Sequence, residues 1–297
     1  MIATDRKKLW QAAIKLPMYS VAVMPIVVGS VLAWLDRDIF NWQRLGLFLL
    51  AGVCILAWEN LCNDVFDAET GIDRHKYHSI VQLTNNPKLV FVIANTLLFF
   101  GLLFLSLIAW QQQDITVLLL VLLCCFLGYA YQSPPFRLGY VGLGEMLCFF
   151  AFAITIAAAY YSQVQSFSFA IVLPALINGL STTLILFCSH FHQVEDDRSA
   201  GKFSPIVRLG TKRSAQIIPF VCISLYLLTL IGIVLHLLPW SAITIGISMP
   251  FAWQLVKITD RYHDQPEQIK NCKFIAVGLH FWSNLGLVIG LIVSHAL

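Results

Sequence analysis

Residues 45–73 read LGLFLLAGVCILAWENLCNDVFDAETGID, and their reading decides the fold. The first eighteen, 45–62, hold one charge, Glu59, whereas the next eleven hold Asp64, Asp67, Glu69 and Asp73. A helix rises 1.5 Å per residue, so about 20 apolar residues cross the roughly 30 Å of hydrocarbon in a bilayer. The stretch therefore predicts a membrane-crossing helix that emerges into an acidic segment at one membrane face.

Eight more apolar stretches flank it: 14–35, 89–110, 115–132, 142–162, 167–189, 215–238, 240–258 and 274–296. Tyr131, Pro134, Pro135 and Arg137 interrupt the chain around the junction of the fourth and fifth spans. Arg6, Lys7 and Lys8 precede 14–35 as they would in a signal peptide, but the run continues without a small-residue cleavage site and reads as a helix. Of the 297 residues, 58% are hydrophobic and 12% charged, with a mean hydropathy of +0.76. Soluble domains carry about 25% charged residues. A water-soluble enzyme, a nucleic-acid-binding module and a disordered tail are excluded. The eight cysteines contain no C-x-x-C and fall mostly in apolar runs, as small core hydrophobes do. The expected architecture is an all-α integral membrane protein of nine transmembrane helices, one domain over 1–297.

Charge sets the expected orientation. With nine spans, 17 of the 19 Lys and Arg fall in the N-terminus and the even-numbered loops, and 2 fall on the other side. The positive-inside rule makes the first group cytoplasmic and puts the C-terminus opposite. Eight of the 16 acids lie in two short segments on that same side, Glu59–Asp73 and Glu195–Asp197, about 130 residues apart. This spacing fits an internal four-helix repeat.

In the first segment Asn60, Asp64 and Asp67 are spaced i, i+4, i+7, and Asn63 and Asp67 i, i+4, so a continuing helix projects all four from one side. Like charges at that spacing repel and call for a cation. Oxygen donors without histidine or thiolate favour magnesium; a solvated helix end is the plainer alternative. In the second segment Gln193, Asp196 and Asp197 share a face, while Glu195 points elsewhere. A metal-clamped diphosphate fits both segments, with Lys15, Arg137, Lys202 and Arg208 as cations to meet its remaining charge, though loop cations also serve topology alone. His190 and His192 face apart on a helix and read as helix-end hydrogen-bonding groups rather than ligands. Glu145, costly in lipid, is expected to face the bundle interior.

These residues together resemble the UbiA superfamily of intramembrane aromatic prenyltransferases, and within it the 1,4-dihydroxy-2-naphthoate branch, particularly the phytyltransferases. The matching pieces are Asn60-x-x-Asn63-Asp64-x-x-Asp67 with Asp73, Tyr131 through Glu145 with its Ser133-Pro134-Pro135-Phe136-Arg137, Glu195-Asp196-Asp197-Arg198 with Gly201-Lys202, Val207-Arg208-Leu209-Gly210, and the opening Lys15-Leu16-Pro17. The pattern departs at Gln193, where the family usually has aspartate.

The resemblance implies nine helices around a central cavity with a cytoplasmic acidic cap, and Mg2+-dependent transfer of a phytyl or other polyprenyl group from its diphosphate to dihydroxynaphthoate with decarboxylation, in phylloquinone or menaquinone biosynthesis. It implies two magnesium ions held by Asp64 and Asp67 on one side and by Asp197 with Asp196 or Glu195 on the other. Asn60, Asp64, Asp67 and Asp197 would be catalytic, and Lys15, Asn63, Asp73, Tyr131, Arg137, Gln193, Lys202 and Arg208 would bind substrate. The partners implied are a prenyl diphosphate, an aromatic naphthoate and the lipid bilayer of a bacterial inner or thylakoid-type membrane, with no nucleic acid. The alternatives are another acceptor (4-hydroxybenzoate, homogentisate or a chlorophyllide) or a cation transporter, which would place its ionisable groups nearer the bilayer midplane.

Overall fold

The computed structural model describes residues 8–10, 13–72 and 79–296. The expected site residue Asp73 lies outside them. Among the described residues the regular structure is all helical, with no strand, and the principal helices follow the apolar runs. They are α1 (Ser20–Arg37), α2 (Trp42–Thr70), α3 (Pro87–Gln112), α4 (Thr116–Gln132), α5 (Gly144–Val164), α6 (Val172–Ser189), α7 (Thr211–Val234), α8 (Met249–Tyr262) and α9 (Cys272–Ala296). Among the described residues, eight segments are long and apolar enough to cross a membrane, and α4, with 17 residues, is a shorter apolar helix. The α8 segment is lengthened at its start by a 3-10 stretch, Trp240–Ser248.

Local chemistry sets the ends of these helices. The Asn41 side chain accepts the Arg44 N–H at the start of α2, and Asn86 accepts the Leu89 N–H at the start of α3, where Pro87 occupies the first turn. Gly71, at φ 73°, ends α2 in the left-handed conformation that glycine adopts without steric cost. At 29 residues α2 is about 44 Å long. That exceeds the hydrocarbon thickness, so its last turns, which carry Asp64, Asp67 and Glu69, reach the interface.

Each helix packs on the next, and α9 packs back on α1, closing a ring. α1 also packs on α5 across it. Gly29 permits that approach: a Cβ there would lie 2.5 Å from the Ile156 carbonyl oxygen and 2.7 Å from the Ala159 Cβ. Polar groups seal the same end. The Tyr160 hydroxyl donates to Asp36, Arg44 reaches the Ser162 and Gln163 carbonyls, and Asp114 accepts from Thr116 and Tyr161. The outer faces of α3 and α7 are exposed and apolar, with Phe99 and Trp110 on the first and Phe220 and Val234 on the second. A multi-pass membrane protein presents such faces to lipid. At the other end, the one with the acidic segments, the ring stays open.

Candidate active site

A cavity of about 730 Å³ runs from that open end into the bundle, walled by α1, α2, α4, α5 and α6 and by the start of α9. Its depth is apolar, with Ile26, Phe48, Ile55, Val121 and Phe152 on the wall. Its mouth is polar. Asn60, Asn63 and Asp67 of α2 line it, with Lys15, Tyr131, Gln193, Asp196 and Lys202. Eight of the residues expected in the site are thus brought together on one surface.

The other described ones are not. Asn63 and Asp64 are consecutive and so about 100° apart around α2; with Asn63 on the cavity wall, Asp64 turns into the protein. It is buried, and its Oδ2 accepts the Ile80 N–H at 2.8 Å, holding the chain that returns after α2. Asp197 is fully buried behind the wall. Its Oδ2 lies 2.9 Å from Nδ1 of His190 and its Oδ1 3.9 Å from the Lys202 ammonium. Glu195 is exposed and pairs with Arg198 at 3.4 Å, away from the cavity, as expected for its face of the short helix Val194–Ser199.

Two arginines also correct expectation. Arg208 donates through Nε to the Phe203 carbonyl and through Nη2 to the Val141 carbonyl, so it clamps two loops together. Arg137 has left-handed backbone (φ 43°), which turns its side chain over the Tyr140 ring and to within 3.7 Å of Glu69. Neither guanidinium lines the cavity.

The polar mouth is held by these surrounding contacts. Asn63 donates to Gln132. The Thr70 hydroxyl meets that of Tyr140 at 2.8 Å, the Tyr140 carbonyl accepts the Phe203 N–H, and the Asp197 carbonyl accepts the Lys202 N–H. The Tyr131 ring fits against Gly139 and Gly144, where a Cβ would stand 2.6 Å and 2.5 Å from its Cε2. Lys202 sits between both acidic segments with its ammonium over the Tyr131 and Tyr140 rings, at 5.6 and 5.9 Å. Burial alone would lower its pKa, but Tyr131, Asp197 and Asp67 outweigh burial and hold it above the ordinary value.

Several lining residues escaped the sequence reading as site groups. Glu59, at the edge of its apolar run, reads from spacing as the first acid of the acidic segment, yet it lines the cavity. His190, read as structural, does cap a helix end, yet it also lines the cavity between Asp197 and Glu145, whose Oε1 lies 3.8 Å from its Nε2. Glu145 thus faces the interior, as expected. Lys270 and Lys273 bring further cations to the mouth from before and within the first turn of α9. Their signal in the sequence is the Lys pair at the end of the eighth loop, where cations also set topology.

The donor set at the mouth suits a hard divalent cation. Asp67 and Asp196 offer carboxylate oxygens at the wall, and buried Asp197 Oδ1 has no hydrogen bond among the described residues. Among the described residues no three His, Cys, Asp or Glu side chains lie close enough to chelate an ion unaided.

A chamber of this kind suits a molecule with an apolar tail and an anionic head, and it places the protein among polytopic membrane enzymes that act on such amphiphiles. Within that class the chain belongs to the UbiA prenyltransferase family, whose sequence profile matches residues 22–285. The 2-carboxy-1,4-naphthoquinone phytyltransferase of Synechocystis sp. is 54% identical over 289 residues, covering 97% of this chain and 94% of that protein. The chloroplastic 2-carboxy-1,4-naphthoquinone phytyltransferase of Arabidopsis thaliana is 37% identical over 299 residues, covering 98% of this chain and 78% of the relative. The structure of a UbiA homolog from Archaeoglobus fulgidus bound to DMAPP and Mg2+ superposes with a TM-score of 0.56 at 16% identity, covering 94% of this chain and 99% of that one.

Proposed function

We propose that this enzyme transfers a phytyl or other polyprenyl group from its diphosphate to 1,4-dihydroxy-2-naphthoate, with loss of the carboxylate, in phylloquinone or menaquinone biosynthesis. One observation carries the type of reaction: a single cavity grades from a carboxylate- and lysine-rimmed mouth to an apolar depth. The carboxylated naphthalene acceptor and the phytyl donor rest on the likeness to the two phytyltransferases, whose names give the 2-carboxy-1,4-naphthoquinone of which dihydroxynaphthoate is the reduced form.

Asp67 and Asp196, with Asp197 behind them, are the residues that would hold magnesium, consistent with the magnesium in the Archaeoglobus homolog, while Asp64 supports the chain after α2. Two ions fit two acidic segments. Magnesium, when bound, neutralises charge on the diphosphate and so improves it as a leaving group. Lys202 and Lys15, with Lys270 and Lys273, meet phosphate charge that carboxylates cannot. Asn60 and Asn63 hydrogen-bond and orient polar substrate groups, and Gln132 fixes Asn63 for this. Gln193 supplies a neutral oxygen where the family pattern has a charge. The prenyl chain lies along Ile55, Val121 and Phe152, and this dry wall keeps water from quenching the allylic cation before the electron-rich ring attacks it. The acidic mouth faces the cytoplasm, and the membrane is a bacterial inner or thylakoid-type one.

The test uses membranes containing the enzyme, Mg2+, dihydroxynaphthoate and a panel of prenyl diphosphates, with products scored by mass. The expected product is the prenylated naphthoquinol without its carboxyl group. No product with any chain length refutes the acceptor assignment, and retained turnover in Asp67→Ala refutes the clamp.

A further inference from the structure

Glu59 lies on the cavity-lining side of α2, one turn (about 6 Å) deeper than Asn63 and two turns (about 12 Å) deeper than Asp67. Its carboxylate rests against Gly128 of α4, where a Cβ would stand 2.4 Å from Oε2. Only a residue without a side chain leaves that space. Among the described residues no hydrogen bond or ion pair engages the carboxylate. The titratable groups facing it are thiols: Cys62 on its own helix, Cys125 on α4 and Cys148 on α5. A carboxyl inside a membrane span is costly unless something in the cavity uses it. A diphosphate held at the level of Asp67, Asp196 and Lys202 would direct its allylic carbon and tail into the apolar depth, towards the level of Glu59.

We infer that Glu59 is a catalytic residue that takes the proton from the acceptor hydroxyl. This rests on the prenyl transfer proposed above. As the hydroxyl proton moves to the Glu59 carboxylate, the O–H electron pair enters the ring. The C–O pair has already left with the diphosphate, and the ring carbon that bears the carboxylate forms its bond to the allylic cation. When the carboxylate departs as CO2, the pair of the broken C–C bond returns to the ring and the ring oxygen recovers the proton from Glu59. The glutamate ends as it began, and no oxidant or reductant is consumed.

Glu59→Gln keeps the shape and removes the base. Its kcat is expected to fall by about 10²–10⁴, the usual range for a general base, with KM for the prenyl diphosphate within about twofold of wild type and the acidic limb of the kcat–pH profile gone. Gly128→Ala keeps the glutamate but displaces its carboxylate, and is expected to lower kcat at least tenfold with the same KM. That variant decides the matter should Glu59→Gln fail to accumulate. Either variant at wild-type kcat, a KM for the diphosphate that rises in step with the loss, or an unchanged acidic limb in Glu59→Gln overturns the assignment. No naphthoate turnover by the wild type overturns the proposed function and this inference together; wild-type turnover with unaffected variants overturns this inference alone.

Discussion

Lys202→Met tests the electrostatic design of the cavity mouth. The substitution keeps most of the apolar stem and deletes the ammonium that stands 3.9 Å from Asp197 Oδ1. Two unit charges at that distance attract by about 4 kcal/mol at an effective dielectric of about 20. Breaking one partner of a buried pair costs about 3–5 kcal/mol, which agrees. With the lysine side chain 6% exposed and the aspartate fully buried, solvent screens little of this. A loss of about 3 kcal/mol shifts the unfolding equilibrium more than 100-fold. The assay is reversible chemical unfolding in detergent micelles, beside KM for the prenyl diphosphate, which is expected to rise. The sign with pH follows from the raised pKa: the Lys202 contribution is complete below its ordinary pKa of 10.5 and is lost only as pH climbs through the higher folded value. The stability gap between wild type and variant is therefore expected to stay flat from neutral pH up to about 10 and to narrow above it. A variant within about 0.5 kcal/mol of wild type at pH 7 would refute the reasoning.

Asp64→Ala and Asp67→Ala should separate structure from chemistry. Both are expected to lose activity, but only Asp64→Ala should raise hydrogen exchange at the Ile80 amide, whose acceptor it removes; equal exchange in the two would refute that division. Gly29→Ala forces α1 and α5 apart and is expected to cost about 1–3 kcal/mol of stability, the usual range for overpacking; an unchanged unfolding midpoint would count against the tight approach. Arg208→Ala removes two bonds to backbone carbonyls and is expected to lower stability while leaving KM for the prenyl diphosphate within about twofold. A tenfold rise in that KM without loss of stability would instead put the guanidinium on the substrate.

The apolar helices were legible because lipid demands one thing of a sequence: long apolar runs, which the principal helices follow, although the fourth, at 17 residues, is shorter than the rest. The ends were less so. The span read as 45–62 runs to Thr70, because helix geometry persists beyond the hydrocarbon wherever backbone bonds and caps allow. The seventh span begins at Thr211, before Lys212 and Arg213, for the same reason. Spacing brought Asn60, Asn63 and Asp67 to one face, but it could not tell which edge of that face met the wall, and Asp64 fell outside. Loop cations were the hardest to place. The direction of Arg137 is set by its left-handed φ and that of Arg208 by two carbonyls more than 60 residues away or in the adjoining loop, neither of which leaves a local signal. Glu59 was missed because a carboxyl at the edge of an apolar run reads as the start of the acidic segment rather than as part of the reaction chamber.

The seal formed by Gly29 against α5 and by the Asp36, Arg44 and Asp114 contacts bears on more than packing. A recess with a charged mouth that enters a bilayer would become a path for ions if it opened at both ends. Closing the far end with interlocked backbone and paired side chains lets polar ligands enter from one side only, while the bilayer keeps its barrier to ions.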